Sequence, residues 1–260
     1  MATFRKKVTF AVVFARFVTM FSFMTPRPFI IVADLRTGST LLSSSLDRHP
    51  DIRCMGELFH SQDFPDNRIP GVNHFEKTGT ALVHHAFRAG GCKAAGFRAM
   101  VFLPAKETPR WADAWRALRD YADLRVIFLQ RRDYLAQYVS YRIAVQTGKW
   151  HPSPDDSILV PEERPRVVVD PEDFRKWKDE RIRLYAKRRR QLYGKAILDL
   201  DYSQLAFNWR STIIRVQGFL SADPLCLHPV KKKQERRNIS NAIKNIDELK
   251  KVGLIPTETQ

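Results

Sequence analysis

The run Phe29-Ile-Ile-Val-Ala-Asp-Leu-Arg-Thr-Gly-Ser-Thr-Leu-Leu-Ser-Ser-Ser-Leu46 passes from continuous apolar positions through a short polar stretch into a helical pattern. Unbroken apolar, β-branched runs suit strands buried on both faces of a parallel sheet. The same order recurs downstream. Lys93 to Leu103 reads as a strand, followed by a helix over Pro109 to Tyr121 with Trp111, Trp115, Leu118 and Tyr121 on one face. Leu124 to Leu129 is a second buried strand, and the helix after it carries Leu135, Tyr138, Val139 and Ile143. Asp170-Pro171 opens a further helix as N-cap and first-turn proline, with Phe174, Trp177, Leu184, Tyr185 and Leu192 apolar. Its charges, Arg181, Arg183, Lys187, Arg188, Arg189 and Arg190, are assigned to a solvated face. Ala196 to Tyr202 is the last strand, leading into one helix capped by Ser203 and carrying Leu205, Trp209, Ile213, Val216 and Leu220. Strands alternating with helices predict a three-layer α/β/α domain around a central, mainly parallel sheet.

The connections are uneven. The first helix stops near Pro50, with His49 as its C-cap. Residues 61–91 are broken by Pro65, Pro70, Gly71, Gly79, Gly90 and Gly91, apart from a short helix over Ala81 to Arg88, and 147–170 read as a long loop. At the N-terminus Arg5, Lys6 and Lys7 precede an apolar stretch from Val8 to Met24 that Arg16 interrupts. It reads either as a targeting or membrane-anchor segment or as an overextended start. The chain thus divides into a leader over 1–28, one domain over 29–250 and a C-terminal tail over 251–260.

Chemistry concentrates in the first polar stretch. Gly38 can adopt the positive φ of a tight turn, and a helix opening at Ser39 leaves unpaired backbone N–H groups facing the loop. With Arg36 and the hydroxyls of Thr37, Ser39 and Thr40, that is an anion site suited to phosphate. An ordinary capped strand-to-helix turn is the other account of the same residues. No G-x-x-x-x-G-K-[ST] string is present, so ATP hydrolysis is not the first expectation. With 44 Lys+Arg against 28 Asp+Glu, the net charge of +16 calls for anionic partners. The three cysteines Cys54, Cys92 and Cys226 are scattered and the histidines form no His-Glu-x-x-His pattern. A reducing, cytoplasmic location is therefore expected, with membrane association through 1–24 as the alternative, and no metal.

The string Arg36-Thr-Gly-Ser-Thr40 resembles the 5′-phosphosulfate loop of sulfotransferases that use 3′-phosphoadenosine 5′-phosphosulfate (PAPS), close to the Arg-Ser-Gly-Ser/Thr-Thr pattern of carbohydrate-type members. Four further blocks resemble the same family. Gly56-Glu57 recurs after the first helix in bacterial carbohydrate sulfotransferases and implies Glu57 as general base, with His60 as runner-up and, after it, a residue of the following loop such as His74. The strand around Gly96-Phe-Arg98 is similar to the family's Gly-Phe-Lys strand. Arg132 and Ser140 match the pair that binds the 3′-phosphate, within a string running to Gln146-Thr-Gly-Lys-Trp150 that resembles the bacterial subgroup containing trehalose 2-sulfotransferase and nodulation-factor sulfotransferases. Lys231 to Leu249 resembles a C-terminal basic tail lying over the cofactor, from which Lys233 and Arg237 are the candidate 3′-phosphate ligands beside Lys231 and Arg236.

The resemblance implies a P-loop-like, nucleotide-binding sulfotransferase fold. It implies transfer of a sulfuryl group from PAPS to a hydroxyl of a carbohydrate or glycolipid, with 3′-phosphoadenosine 5′-phosphate (PAP) as the product. Catalysis is assigned to Glu57 and Arg36, and cofactor binding to Arg36, Thr37, Gly38, Ser39, Thr40, Arg132, Ser140, Lys233 and Arg237. No specific nucleic acid is expected as partner. A nucleotide kinase-like phosphotransferase and a basic nucleic-acid-binding protein are the rival readings of the same loop and charge.

Overall fold

Strands β1 (Arg27–Ala33), β2 (Ile52–Glu57), β3 (Ala94–Met100), β4 (Arg125–Gln130) and β5 (Ala196–Asp201) form one sheet in the order β2-β3-β1-β4-β5. Every pairing is parallel. The structure, a computed structural model, describes residues 25–59, 78–88, 90–102, 108–150, 165–229 and 239–256. Residues 1–24 of the expected leader, His60, His74, the 151–164 part of the long loop and the basic segment with Lys233 and Arg237 lie outside them. Among the described residues no helix is long and apolar enough to cross a membrane.

Around the sheet are α1 (Ser39–Leu46), α2 (Gly79–Phe87), α3 (Thr108–Asp120), α4 (Tyr134–Thr147), α5 (Pro171–Gln191), α6 (Tyr202–Phe207), α7 (Trp209–Phe219) and α8 (Ile246–Lys251). Because successive strand residues face opposite sides, the central run divides between two cores. Phe29, Ile31 and Ala33 pack with Ile127, Leu129 and Leu200 under α1, α6 and α7. Ile30 and Val32 pack with Phe97, Ala99 and Phe128 under α2, α3 and the C-terminal half of α5. β3 runs close against its parallel neighbour β1 at Gly96, where a Cβ would sit 2.1 Å from the Phe29 carbonyl oxygen, so no other residue fits there.

A third core lies beside the sheet. Tyr138 and Val139 of α4, Val167, Val169, Phe174 and Trp177 gather with Ala242, Ile243 and Leu249 from the C-terminal segment. Val167 bridges Ile243 in parallel, and the Asn245 side chain exchanges two 2.9 Å hydrogen bonds with the backbone of Val169. Leu254 and Ile255 pack on this core as well, so the described part of the expected tail joins the domain instead of standing apart from it. At the other end, β1 begins at Arg27, inside the expected leader.

Several local expectations are corrected. The last helix is two helices that break at Asn208, and the cap is Asp201, not Ser203: its carboxylate accepts from Ser203 N–H while the Gln204 side chain accepts from Asp201 N–H, closing a capping box. The strand end reaches the orphan N–H groups two residues earlier than the sequence pattern shows. His49 is not a cap either. α1 is capped by Asp47, and the buried His49 ring accepts from Asp51 N–H at 3.0 Å with its other nitrogen 2.8 Å from the Asp223 carbonyl. Arg181 and Arg188 do not belong to the solvated face of α5. They lie four residues before and three after the buried Tyr185, which is the core-facing side, and stack on Trp177 at 4.4 Å and Trp115 at 4.1 Å. Trp115 is core, as expected.

Candidate active site

The C-terminal ends of the strands face one edge, and the connections leaving β1 and β4 turn to opposite sides there, which is where ligands of open α/β sheets bind. After β1, Arg36 (φ 61) and Gly38 (φ 83) both take left-handed conformations before α1 begins at Ser39. Glycine is required at 38 on two counts. Its φ is positive, and a Cβ would meet the Tyr202 ring at 3.0 Å. No side chain caps α1, so its first N–H groups stay directed at the loop. Thr37 is fully buried and its hydroxyl donates back to the Asp34 carbonyl at 2.7 Å, so that hydroxyl holds the turn rather than facing a ligand.

Buried Asp34 holds this loop from beneath. Its carboxylate accepts from Leu35 N–H at 2.8 Å, Gln137 Nε2 at 3.2 Å and Arg181 Nε at 3.3 Å, joining β1 to α4 and α5. Burial raises its pKa against the opposing pull of Arg181. Gln137 also donates to the Leu35 carbonyl at 2.7 Å, so one side chain fixes two points of the turn.

The β4 end supplies the second half. Arg131 donates to the Arg36 carbonyl at 3.5 Å and lies 4.7 Å over the Tyr202 ring, which itself covers Gly38. Arg132 is exposed, its N–H held by Asp201 Oδ2 at 3.0 Å, and Asp133 caps α4 by accepting from Ala136 N–H. Two turns along α4, Ser140 Oγ accepts from Arg36 Nε at 2.9 Å. Gly148, left-handed, ends α4 and turns the chain so that the Trp150 carbonyl accepts from Arg36 Nη1. Arg36 and Arg131 therefore crowd together with neutral partners. Neither has an ion pair among the described residues, and Arg131 Nε is buried with no hydrogen-bond partner. Burial first, then the charge of Arg131, lowers the Arg36 pKa; burial lowers that of Arg131. Two cations held this way repel each other, a repulsion that a negative charge placed between them would relieve.

The third part comes from the opposite edge. Glu57 ends strand β2 rather than standing on a loop, and its Oε1 pairs with Arg98 Nη2 at 3.3 Å, both side chains being largely buried. From β3, Arg98 also donates to Thr40 Oγ1 at 2.5 Å and Ser39 Oγ at 3.3 Å. One guanidinium thus links the carboxylate to the start of α1.

Of the candidate residues, Arg36, Thr37, Gly38, Ser39, Thr40, Ser140 and Arg132 meet around the ends of β1 and β4, and Glu57 reaches them through Arg98. The sequence reading missed Asp34, Gln137, Arg181, Arg131 and Tyr202. A carboxylate closing an otherwise apolar buried strand was the available signal for Asp34. Among the described residues no cluster of His, Cys, Asp or Glu could hold a metal ion.

A parallel-sheet α/β domain with its arginines and hydroxyls gathered at the C-terminal edge of the strands is the class this fold defines. Residues 28–223 match the model of the sulfotransferase family, and the chain belongs to that family. It is 26% identical over 236 residues to Nodulation protein H of Rhizobium tropici, covering 88% of this chain and 90% of that one. It is also 26% identical over 240 residues to Nodulation protein H of Rhizobium meliloti, covering 88% and 92%. Among solved structures it is similar to a sulfotransferase from Alicyclobacillus acidocaldarius, with a TM-score of 0.47 and 18% identity over 81% of this chain and 87% of that one. Sulfuryl transfer is the reaction of the family.

Proposed function

We propose that the chain transfers the sulfuryl group of PAPS to a hydroxyl of a carbohydrate or glycolipid. The observation that carries the donor half is the paired Arg36 and Arg131, which lack an ion-pair partner among the described residues beside the uncapped start of α1. In this reading Arg36 and the Gly38–Thr40 N–H groups hold the 5′-phosphosulfate, while Arg132 and Ser140 hold the 3′-phosphate. Lys233 and Arg237 add to the 3′ end by the motif resemblance alone. The acceptor class rests on the carbohydrate-type pattern at Arg36–Thr40, and the relatives named for nodulation agree with the bacterial subgroup that the motifs resemble.

The chemistry assigned to the site follows from its charges. As the acceptor oxygen bonds to sulfur, the bond from sulfur to the 5′-phosphate oxygen breaks, and Glu57 takes the acceptor proton. The negative charge growing on the departing PAP is met by Arg36 and the α1 amides, donors already fixed in place. Arg98 orients Glu57 and ties it to Thr40, so base and donor loop keep one geometry. Incubating the protein with PAPS and a panel of sugars, with mass spectrometry for sulfated product and PAP, tests the reading. Turnover of the panel supports it; PAP binding without transfer to any sugar removes the carbohydrate acceptor, and no PAP binding removes the donor.

A further inference from the structure

On the sheet face opposite α1, helices α3 and α5 enclose a cleft of about 180 Å³. Trp115, Arg116 and Arg119 line it from α3, and Lys187, Arg188 and Gln191 from α5. Four of these six are cations and none is a carboxylate. Arg188 is the unusual member, at 1% exposure. Its Nε donates to the Val101 carbonyl at 3.1 Å, its Nη1 to Gln191 Oε1 at 2.7 Å, and its plane lies over the Trp115 ring. Its Nη2 is buried and donates to nothing among the described residues. A buried charged donor left unfilled carries its full desolvation cost, which an accepting oxyanion would remove. Burial pushes the Arg188 pKa down to about 10, so the group remains a cation at neutral pH.

We propose that this cleft is a second oxyanion site, in which a sulfate- or phosphate-type group accepts from Arg188 Nη2 while Arg116 and Lys187 add positive charge from the two helices. The cleft is more than ten times the roughly 10–15 Å³ that one water needs on the same measure, enough for a tetrahedral oxyanion. None of its lining residues belongs to the loop after β1, to α1 or to α4, so the group it takes is not one held at those elements. The group is either a free ion or one carried on a sugar.

Full-length protein, with and without saturating PAP, is titrated calorimetrically with inorganic phosphate, with glucose 6-phosphate and with glucose, at ionic strength held constant by chloride. The same titrations are run on the double variant Arg116→Glu, Lys187→Glu, whose changes fall on exposed positions, and on Arg188→Gln. Phosphate binding that survives PAP and weakens roughly tenfold or more in the double variant, with PAP affinity unchanged, is the expected result. Equal affinity for both phosphates assigns the site to the free ion, and tighter glucose 6-phosphate assigns it to a group on a sugar. Unchanged phosphate binding in the folded double variant, or none in the wild type, overturns the proposal. If PAP fails to bind at all, the comparison between wild type and double variant still decides, because it does not use the nucleotide loop.

Discussion

Arg36 Nε donates to Ser140 Oγ at 2.9 Å, joining the turn after β1 to the middle of α4. The hydroxyl that accepts this bond keeps its own hydrogen to donate. A left-handed arginine is uncommon and must be held by its surroundings; here Ser140 and the Trp150 carbonyl hold the side chain and Arg131 the carbonyl. The proposed ligands of the two ends of the nucleotide are therefore in contact with each other.

Replacing Arg36 by alanine removes a charge-assisted contact worth on the order of 1.5–3 kcal/mol, so PAP affinity is expected to fall roughly 10- to 150-fold, with a loss of turnover. Ser140→Ala leaves the cation but frees its orientation and should cost less. Calorimetry with PAP checks both. Wild-type affinity and turnover in folded Arg36→Ala would end the assignment of this residue.

Donor choice should depend on Arg132, whose backbone is fixed by Asp201 while its side chain is exposed. Adenosine 5′-phosphosulfate, lacking the 3′-phosphate, is expected to be a poor donor, and Arg132→Ala should narrow the gap. A wild type that binds PAP no better than its 3′-dephosphorylated form contradicts this.

Glu57→Gln keeps an oxygen that can accept from Arg98 but no longer takes a proton. The chemical step should slow by about 10²–10⁴-fold while PAP binding persists. Single-turnover measurement on a confirmed acceptor separates the two. Near-wild-type rates would move the search for a base to His60 or His74.

Arg98→Met should be destabilising by more than its loss of contacts, because it takes the ion-pair partner at 3.3 Å away from the largely buried Glu57 carboxylate. Removing one partner of a buried pair costs about 3–5 kcal/mol. Urea unfolding checks the single variant, and the double variant with Glu57→Gln should recover part of the loss. An additive double variant would show that the two side chains do not interact.

Acid should loosen the β5–α6 corner. Burial raises the Asp201 pKa, but hydrogen bonds from Ser203 and from Arg132 N–H outweigh it and leave the folded value below the ordinary one. The stability it contributes is present above the unfolded-state pKa of about 3.9 and lost as pH falls through the lower folded value. Asp201→Asn should therefore show a shallower loss of stability on acidification below about pH 4 than wild type, measured by urea unfolding across pH. Identical acid profiles would show that Asp201 is not responsible.

Local order was legible in the sequence: the strands ending at Ala33, Met100 and Gln130, the helices after them, the turn at Gly38 and the cap at Asp170. Each depends on periodicity, on backbone conformations that few residues adopt, or on a side chain reaching its own neighbours, and the chain carries those itself. The apolar continuity of the central strands also fixed the parallel character of the sheet, since only strands covered on both faces need it.

What joined these pieces was decided only in three dimensions. The order β2-β3-β1-β4-β5 sets Glu57 beside Arg98 and sets the β1 turn beside the end of β4, and no spacing in the sequence states which strands are neighbours. Arg181 and Arg188 looked like surface charge because a helix face is named by its majority. The packing of α5 across the strand ends turned both inward, one onto Asp34 and the other over Trp115. Whether an arginine is solvated or buried depends on what another element places opposite it, and that partner is encoded scores of residues away.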